Sequence, residues 1–284
     1  MYQTTYVRAA TLAEAENLLR DNPEAKLISG GQTLVPTLRQ RLARPSHVVD
    51  IAHLAELGGL ALKGEEVVIG ATTTHAEVAA SDLVRSKIPG LADLAGLIGD
   101  PPVRHLGTIG GSIANNDPAA DYPAAVLALN AMVQTSKRTI AADDFFTGLF
   151  ETALDPEEIV LRVSFPVPRR SAYEKFHQSA SRFALVGVFV AVLADGSVRV
   201  AITGAGPRVF RATPIEAALA GSFTAEAAES AAISANGLNS DIHGSAEFRA
   251  HLVPVLAGRA VARAVAICDE LGLASVIARP DWAI

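Results

Sequence analysis

Cysteine is nearly absent from this chain, since Cys268 is the only one among 284 residues. A single cysteine forms no internal disulfide and cannot by itself ligate an iron–sulfur cluster or a zinc ion. We therefore expect a reducing compartment, the cytoplasm, and no metal site on this chain. Basic charge is also scarce, because 24 Lys and Arg against 30 Asp and Glu give a formal net charge of -6. No basic patch stands out, so nucleic acid is not an expected partner.

Long hydrophobic runs are missing as well. The longest, such as 184–194, falls well short of the ~20 residues that cross a bilayer. The N-terminus lacks the charged start and apolar block of a signal peptide. Hydrophobic residues nevertheless make up 50% of the chain, which is typical of a folded protein. The length allows one large domain or two modest ones with a real core.

The order of the predicted elements indicates an α+β fold. A capping box at Thr11–Glu14 predicts a helix over 12–20. Strands come first and helices later, unlike the alternation of a doubly wound fold. The stiff, polar stretch 166–170 predicts a domain boundary. The other predicted elements are strands at 26–29, 48–51, 66–72 and 159–165, a β-hairpin over 184–203 that turns at Asp195-Gly196, and helices at 214–220, 224–236 and 245–271.

Two segments carry paired glycines flanked by hydroxyl side chains. The first is 29–34, and the second, 107–117, falls in a stretch from 104 to 121 that has little periodicity and is predicted to be a loop. Glycine lets the backbone approach a ligand closely and adopt positive φ, and consecutive amides can converge on an anion. The start of a helix after Thr33 would add its positive end. Together the segments predict a site for a phosphate-containing cofactor.

The residues alone carry the interpretation no further. A single glycine pair is more often a tight turn, and neither segment matches the Walker or the dinucleotide-binding pattern. Asp121 is interpreted as a helix N-cap, and Lys175 as an ordinary exposed lysine. His75 is expected at the surface, and His105 without a partner is weak evidence for acid–base chemistry.

Several motifs, in order along the chain, resemble one known family. They are the segments 26–34, 44–51, 107–114, 116–118, 121–124, 158–161 and 173–176. Together they resemble the medium, FAD-binding subunit of the carbon monoxide dehydrogenase and xanthine dehydrogenase family of molybdenum hydroxylases. The resemblance covers nearly the whole chain.

The resemblance implies an α+β fold of the PCMH/vanillyl-alcohol-oxidase type. Two subdomains, 1–54 and 55–170, would hold FAD between them, and a C-terminal domain, 171–284, would carry a small antiparallel sheet and helices. The backbone of 29–34 and 108–112 would cradle the FAD diphosphate. Asp121 would bond the adenosine side or the polar middle of the cofactor, Val160 would pack near the isoalloxazine, and Lys175 would lie close by. The implied cofactor-binding residues are Ser29, Gly30, Gly31, Gln32, Thr33, Leu34, Thr108, Ile109, Gly110, Gly111, Ser112, Asn115, Asp117, Asp121, Val160 and Lys175.

The resemblance also implies a function in electron transfer, with no catalytic residue on this chain. A large partner subunit with molybdopterin would oxidise the substrate, and a small partner would carry [2Fe-2S] clusters. Electrons would reach FAD on this chain and pass to an external acceptor. The complex would be a dimer of heterotrimers. Any membrane association would be loose and would occur only through the electron acceptor. Two alternatives stay open: a stand-alone FAD-dependent oxidase or reductase, and a non-enzymatic nucleotide-binding module. The substrate and the final acceptor are not predicted.

Overall fold

The structure, a computed structural model, describes residues 1–270, with side chains up to residue 267. Three parts of the expectations therefore lie outside the described residues. They are the side chain of Cys268, the last residue of the helix expected to reach 271, and the end of the C-terminal domain expected to reach 284.

A small parallel sheet forms from the first 50 residues. Helix α1 (Leu12–Asp21) confirms the predicted helix, and its N-cap Thr11 accepts a hydrogen bond from the Glu14 amide at 3.2 Å. Leu19 of α1 packs in a small core with Val49 of the sheet. The strands in spatial order are β1 (Thr5–Arg8), β3 (His47–Asp50) and β2 (Lys26–Ile28), and helix α2 (Leu34–Arg39) connects β2 to β3.

The second sheet is antiparallel, and its core is the largest of the described residues. Tyr122, Phe145 and Phe165 are fully buried in this core. The strands in spatial order are β4 (Leu60–Lys63), β5 (Glu66–Gly70), β10 (Val160–Pro166), β6 (Met132–Thr135) and β7 (Thr139–Ala141). Between β5 and β6 come helices α3 (His75–Ala80), α4 (Asp82–Lys87), α5 (Pro89–Gly96), α6 (Pro101–Leu106), α7 (Ile109–Asn115) and α8 (Tyr122–Ala128), and after β7 come α9 (Ala142–Phe145) and a hairpin of β8 (Phe146–Gly148) and β9 (Glu151–Thr152).

The prediction of a loop over 104–121 is wrong, because this stretch contains the end of α6 and the whole of α7. Thr108 caps α7 by accepting a hydrogen bond from the Gly111 amide at 3.3 Å. Ile109 and Ile113 are fully buried, so core packing outweighs the low helix propensity of the glycines. The helix ends at Asn116, which adopts the left-handed conformation common at helix C-termini.

The third sheet is antiparallel and lies in the C-terminal part of the chain. The hairpin predicted at 184–203 is confirmed, with Val192 paired to Val198. The helix predicted over 224–236 is too long, because it ends at Ser230, whose hydroxyl donates to the Ala227 carbonyl at 2.9 Å and competes with the helix ladder. The strands in spatial order are β11 (Arg170–His177), β12 (Ala184–Val192), β13 (Val198–Thr203) and β14 (Phe210–Arg211), followed in the chain by α10 (Thr213–Gly221), α11 (Ala225–Ser230) and α12 (Ala246–Glu270).

Helix α12 is the one described helix that is long and apolar enough to cross a membrane, over Ala246–Ile267. By sequence alone no such span was expected. Half of that stretch is buried inside the protein, with Val253 and Ala257 in the same core as Val188 of β12. A helix that forms the core of a folded domain has the same length and composition.

The predicted α+β class is confirmed by this mixture of helices and mainly antiparallel sheets. The three larger sheets draw their strands from residues 5–50, 60–166 and 170–211 in turn. The domain ranges 1–54, 55–170 and 171–284 stay predictions of where the boundaries fall.

Candidate functional site

A cavity of about 630 Å³ lies where the two glycine segments meet, and this volume is within the ~300–1,000 Å³ of ligand pockets. The segments touch: a Cβ on Gly30 would lie 2.0 Å from the carbonyl oxygen of Leu106 and 2.8 Å from the Cα of Gly107. Only glycine allows this approach. Of the sixteen predicted residues, fourteen line the cavity: Ser29, Gly30, Gly31, Gln32, Thr33, Leu34, Thr108, Gly110, Gly111, Ser112, Asn115, Asp117, Asp121 and Val160.

The first glycine segment, which lines this cavity, has unused hydrogen-bond donors. Among the described residues, the amides of the five residues from Gly30 to Leu34 donate no hydrogen bond. Gly31 adopts φ +69°, which glycine allows without strain. The hydroxyl of Ser29 is buried and has no hydrogen-bond partner within residues 1–270. Because buried polar groups are normally hydrogen-bonded, this segment fits a ligand rich in acceptor oxygens, such as a diphosphate.

The second glycine segment differs, because its amides from Ile109 to Ser112 are already engaged within the protein, whereas the Thr108 amide donates no hydrogen bond to the described residues. The amides of Ile109 and Gly110 donate to the carbonyls of Thr73 and Ala71 at 3.1 and 2.9 Å. Those of Gly111 and Ser112 donate to the hydroxyl and the carbonyl of Thr108.

The polar groups of α7 that remain available at the cavity are side chains, because the amides at the start of this helix are engaged. A Cβ on Gly110 would lie 2.6 Å from the Cβ of Ala71, so this glycine serves packing against the chain that follows β5. The side chains of Ser112 and Asn115 line the cavity and make no hydrogen bond with the described residues. They, rather than the amides of α7, are available to a ligand.

Asp121 and Lys175 form a buried ion pair in the wall of the cavity. The Lys175 ammonium lies 2.9 and 3.1 Å from the two carboxylate oxygens of Asp121 and also donates to the Leu97 carbonyl at 3.0 Å. The Tyr173 hydroxyl donates to the same carboxylate at 2.5 Å. Burial raises the pKa of Asp121, whereas Lys175 and Tyr173 oppose that rise. Asp121 occupies the predicted N-cap position of α8, but its side chain makes no capping hydrogen bond and is instead engaged in the ion pair.

Two predicted residues do not line the cavity themselves. Ile109 is fully buried in the core beneath α7 and fixes the position of that helix. Lys175 reaches the cavity wall only through Asp121, and its side chain is only 3% exposed. The interpretation of Lys175 as an ordinary exposed lysine is therefore wrong.

His75 lines the cavity although the sequence indicated a surface position. It is 5% exposed, and its Nδ1 has no hydrogen-bond partner in the part of the chain that the structure describes. Burial, and next the nearby charge of Arg104, lowers the pKa of His75 from 6.5 to about 4, so the imidazole is neutral at pH 7. A Cβ on Gly107 would lie 2.6 Å from His75 Nε2, which shows why glycine begins the second segment. His105, by contrast, is exposed and bonds the Pro101 carbonyl.

Two aromatic residues of the cavity wall carried no sequence signal. They are Phe150, in the turn between β8 and β9, and Phe183, just before β12. Asp117 also lines the cavity, and its carboxylate accepts from the Ala119 amide at 2.9 Å. Burial raises the pKa of Asp117. The wall thus combines free donors and paired carboxylates with apolar rings.

Comparison with known proteins identifies two family models that match consecutive parts of the chain. A model described as the FAD binding domain in molybdopterin dehydrogenase matches residues 2–168. A model described as the CO dehydrogenase flavoprotein C-terminal domain matches residues 171–264.

Individual relatives match over nearly their full length. The nicotine 6-hydroxylase medium subunit of Paenarthrobacter nicotinovorans is 36% identical over 272 residues, which cover 91% of this chain and 96% of the relative. The carbon monoxide dehydrogenase medium chain of Hydrogenophaga pseudoflava is 34% identical over 279 residues, which cover 93% and 97%. The solved carbon monoxide dehydrogenase from Hydrogenophaga pseudoflava superposes with a TM-score of 0.86 at 34% identity, over 94% of this chain and 99% of that one.

Proposed function

From the premise that this chain belongs to the family of FAD-binding flavoprotein subunits of molybdopterin dehydrogenases, we propose that it passes electrons from the [2Fe-2S] clusters of a partner subunit through FAD to an external acceptor. When bound, FAD supplies the electron-carrying chemistry, and the protein supplies binding, orientation and electrostatics. The observation that carries the proposal is the set of five unengaged amides at Gly30–Leu34, in residues that line a cavity of suitable volume.

In the proposed arrangement, the first glycine segment holds the FAD diphosphate. The amides of 30–34 and the Ser29 hydroxyl donate to its oxygens. The side chains of Thr108, Ser112 and Asn115 bond the polar middle of the cofactor, with Asp117 beside them. These roles are supported by the unengaged donors that line the cavity.

Val160 is proposed to pack near the isoalloxazine. Asp121, in an orientation fixed by Lys175 and Tyr173, bonds the adenosine side or the polar middle of the cofactor. These roles are supported by the apolar side chains of the cavity wall and by the buried ion pair.

Partner subunits are proposed to carry the remaining redox centres. The large subunit would hold molybdopterin and oxidise the substrate, and the small subunit would hold the iron–sulfur clusters, in a cytoplasmic dimer of heterotrimers. Two observations support this division. The relatives are named as medium subunits or medium chains, and one cysteine among 284 residues cannot ligate a [2Fe-2S] cluster by itself.

Reconstitution with FAD tests the proposal. The purified chain, stripped of cofactor and titrated with FAD, is expected to bind one equivalent and show a flavin absorption spectrum. The chain alone should not oxidise an organic substrate, and co-purification with a molybdopterin subunit and a cysteine-rich subunit is expected. A chain that stays colourless with excess FAD would refute the cofactor assignment. Substrate turnover by the chain alone would favour the stand-alone oxidase or reductase.

A further inference from the structure

Phe150 occupies an unusual backbone conformation at the edge of the cavity. It lies in the turn between β8 and β9 with φ +54°, in the left-handed region that bulky residues rarely adopt. Its side chain is 55% exposed and lines the cavity. Backbone strain of this kind persists only where the surrounding structure imposes it, and it concentrates at ligand sites. Core packing does not explain this residue, because more than half of it faces solvent.

Asn116 imposes this turn. Its side-chain amide donates to the carbonyls of Gly148 and Glu151 at 2.9 and 2.7 Å, the two residues that bracket Leu149 and Phe150. Asn116 is 1% exposed and follows directly on α7, the helix that carries the second glycine pair. The backbone of the turn that carries Phe150 is therefore tied to the C-terminal end of α7.

Both the early and the later part of the chain supply polar and apolar side chains to the cavity wall. Residues from 26 to 37 contribute the polar side chains of Lys26, Gln32 and Thr37 together with apolar ones such as Leu27 and Leu34. The later part contributes Phe150 and Phe183, together with apolar side chains at 98, 159 and 160. The dimethylbenzene part of an isoalloxazine has no hydrogen-bonding group, so it fits an apolar wall.

We propose that Phe150 packs on the isoalloxazine of the bound flavin, and that Asn116 is the positioning residue that holds it there in a strained turn. This inference rests on the proposed function and adds a specific ring contact to it. Stacking between aromatic rings stabilises by more than the buried area alone. The strain in the turn is thus kept for cofactor binding and not for folding.

Variants of Phe150 and its neighbour Leu149 separate a role in cofactor binding from a role in folding. Leu149 is the matched control, because it is 53% exposed in the same turn but does not line the cavity. In the full chain, Phe150→Gly should weaken FAD binding about tenfold. It should leave the thermal midpoint of the cofactor-free protein unchanged or higher, because glycine relieves the strain. Leu149→Gly should leave FAD affinity unchanged.

A tryptophan at the same position identifies the ring that is contacted. Tryptophan quenches flavin fluorescence on contact, so Phe150→Trp should keep FAD affinity and lose most of the flavin emission, whereas Leu149→Trp should keep the emission. Unchanged affinity in Phe150→Gly would overturn the inference, and so would unchanged emission in Phe150→Trp, which would assign the contact to adenine or to none. If the wild-type chain itself binds no FAD, the proposed function fails instead.

Discussion

Removing the Lys175 ammonium tests how firmly the buried ion pair holds the cavity wall. Lys175→Met keeps the apolar stem and deletes a charge that lies 2.9 Å from Asp121. The two side chains are 3% and 5% exposed, so solvent cannot replace the lost partner. Deleting one member of a buried pair costs about 3–5 kcal/mol, because the other charge stays buried without compensation. We expect a loss of that size in the free energy of unfolding at pH 8.

The loss should shrink as the pH falls. Burial already raises the pKa of Asp121 above its ordinary 3.8, and Lys175 opposes that rise, so the variant's carboxyl has a still higher pKa. The folded variant then binds a proton that the unfolded chain does not bind above pH 3.8. The free energy of unfolding therefore increases toward lower pH, by at most ~1.4 kcal/mol per pH unit.

Urea unfolding at pH 8 and pH 5.5, followed by circular dichroism, measures both effects. The double variant Asp121→Asn/Lys175→Met removes the stranded charge and should recover more than half of the loss at pH 8. Arg263→Met is the control, since its ion pair with Asp93 is partly exposed and should contribute less than ~1 kcal/mol. The reasoning would be refuted if Lys175→Met lowered the free energy of unfolding by no more than Arg263→Met does. It would also be refuted if the loss in Lys175→Met were the same at pH 8 and pH 5.5.

Three further predictions concern single residues of the cavity. Burial lowers the pKa of His75 from 6.5 to about 4, so between these pH values the unfolded chain binds a proton that the folded chain does not. The free energy of unfolding should therefore decrease by up to about 3 kcal/mol as the pH falls from 6.5 to 4. His75→Gln should flatten this part of the curve of unfolding free energy against pH, and an unchanged curve would contradict the assignment. Gly30→Ala places a Cβ 2.0 Å from the Leu106 carbonyl oxygen and should cost about 1–3 kcal/mol in urea unfolding. Gly221→Ala, which meets open space, should change the value by less than ~0.5 kcal/mol, and equal losses in both would disprove the close approach. Ser29→Ala removes a buried hydroxyl without a partner, so the cofactor-free protein should be no less stable, while FAD affinity measured by titration falls about tenfold. Lost stability with full affinity would assign that hydroxyl to the fold.

Features encoded within a few residues could be predicted from the sequence. The helix predicted from Thr11–Glu14 is present, and Thr11 caps it by accepting from the Glu14 amide. The predicted turn at Asp195-Gly196 connects the two paired strands of the hairpin. The glycine pairs likewise indicated a close backbone approach. All of these depend on local steric and hydrogen-bonding rules, which act over a few residues.

Features that depend on contacts between distant residues could not be predicted in the same way. Lys175 and Asp121 are 54 positions apart, so neither the pair nor its burial has a local pattern. Gly110 is a glycine because of Ala71, a contact between two segments that only the fold brings together. The strained turn at Phe150 depends on Asn116, and nothing in the neighbouring sequence indicates φ +54°.

A crystal structure of the chain with FAD tests the central claim most directly. We expect diphosphate oxygens at about 3 Å from the amide nitrogens of Gly31, Gln32 and Thr33, with the amides of α7 still bonded to Ala71, Thr73 and Thr108. A diphosphate bound elsewhere, with the amides of the first glycine segment facing only water, would contradict it.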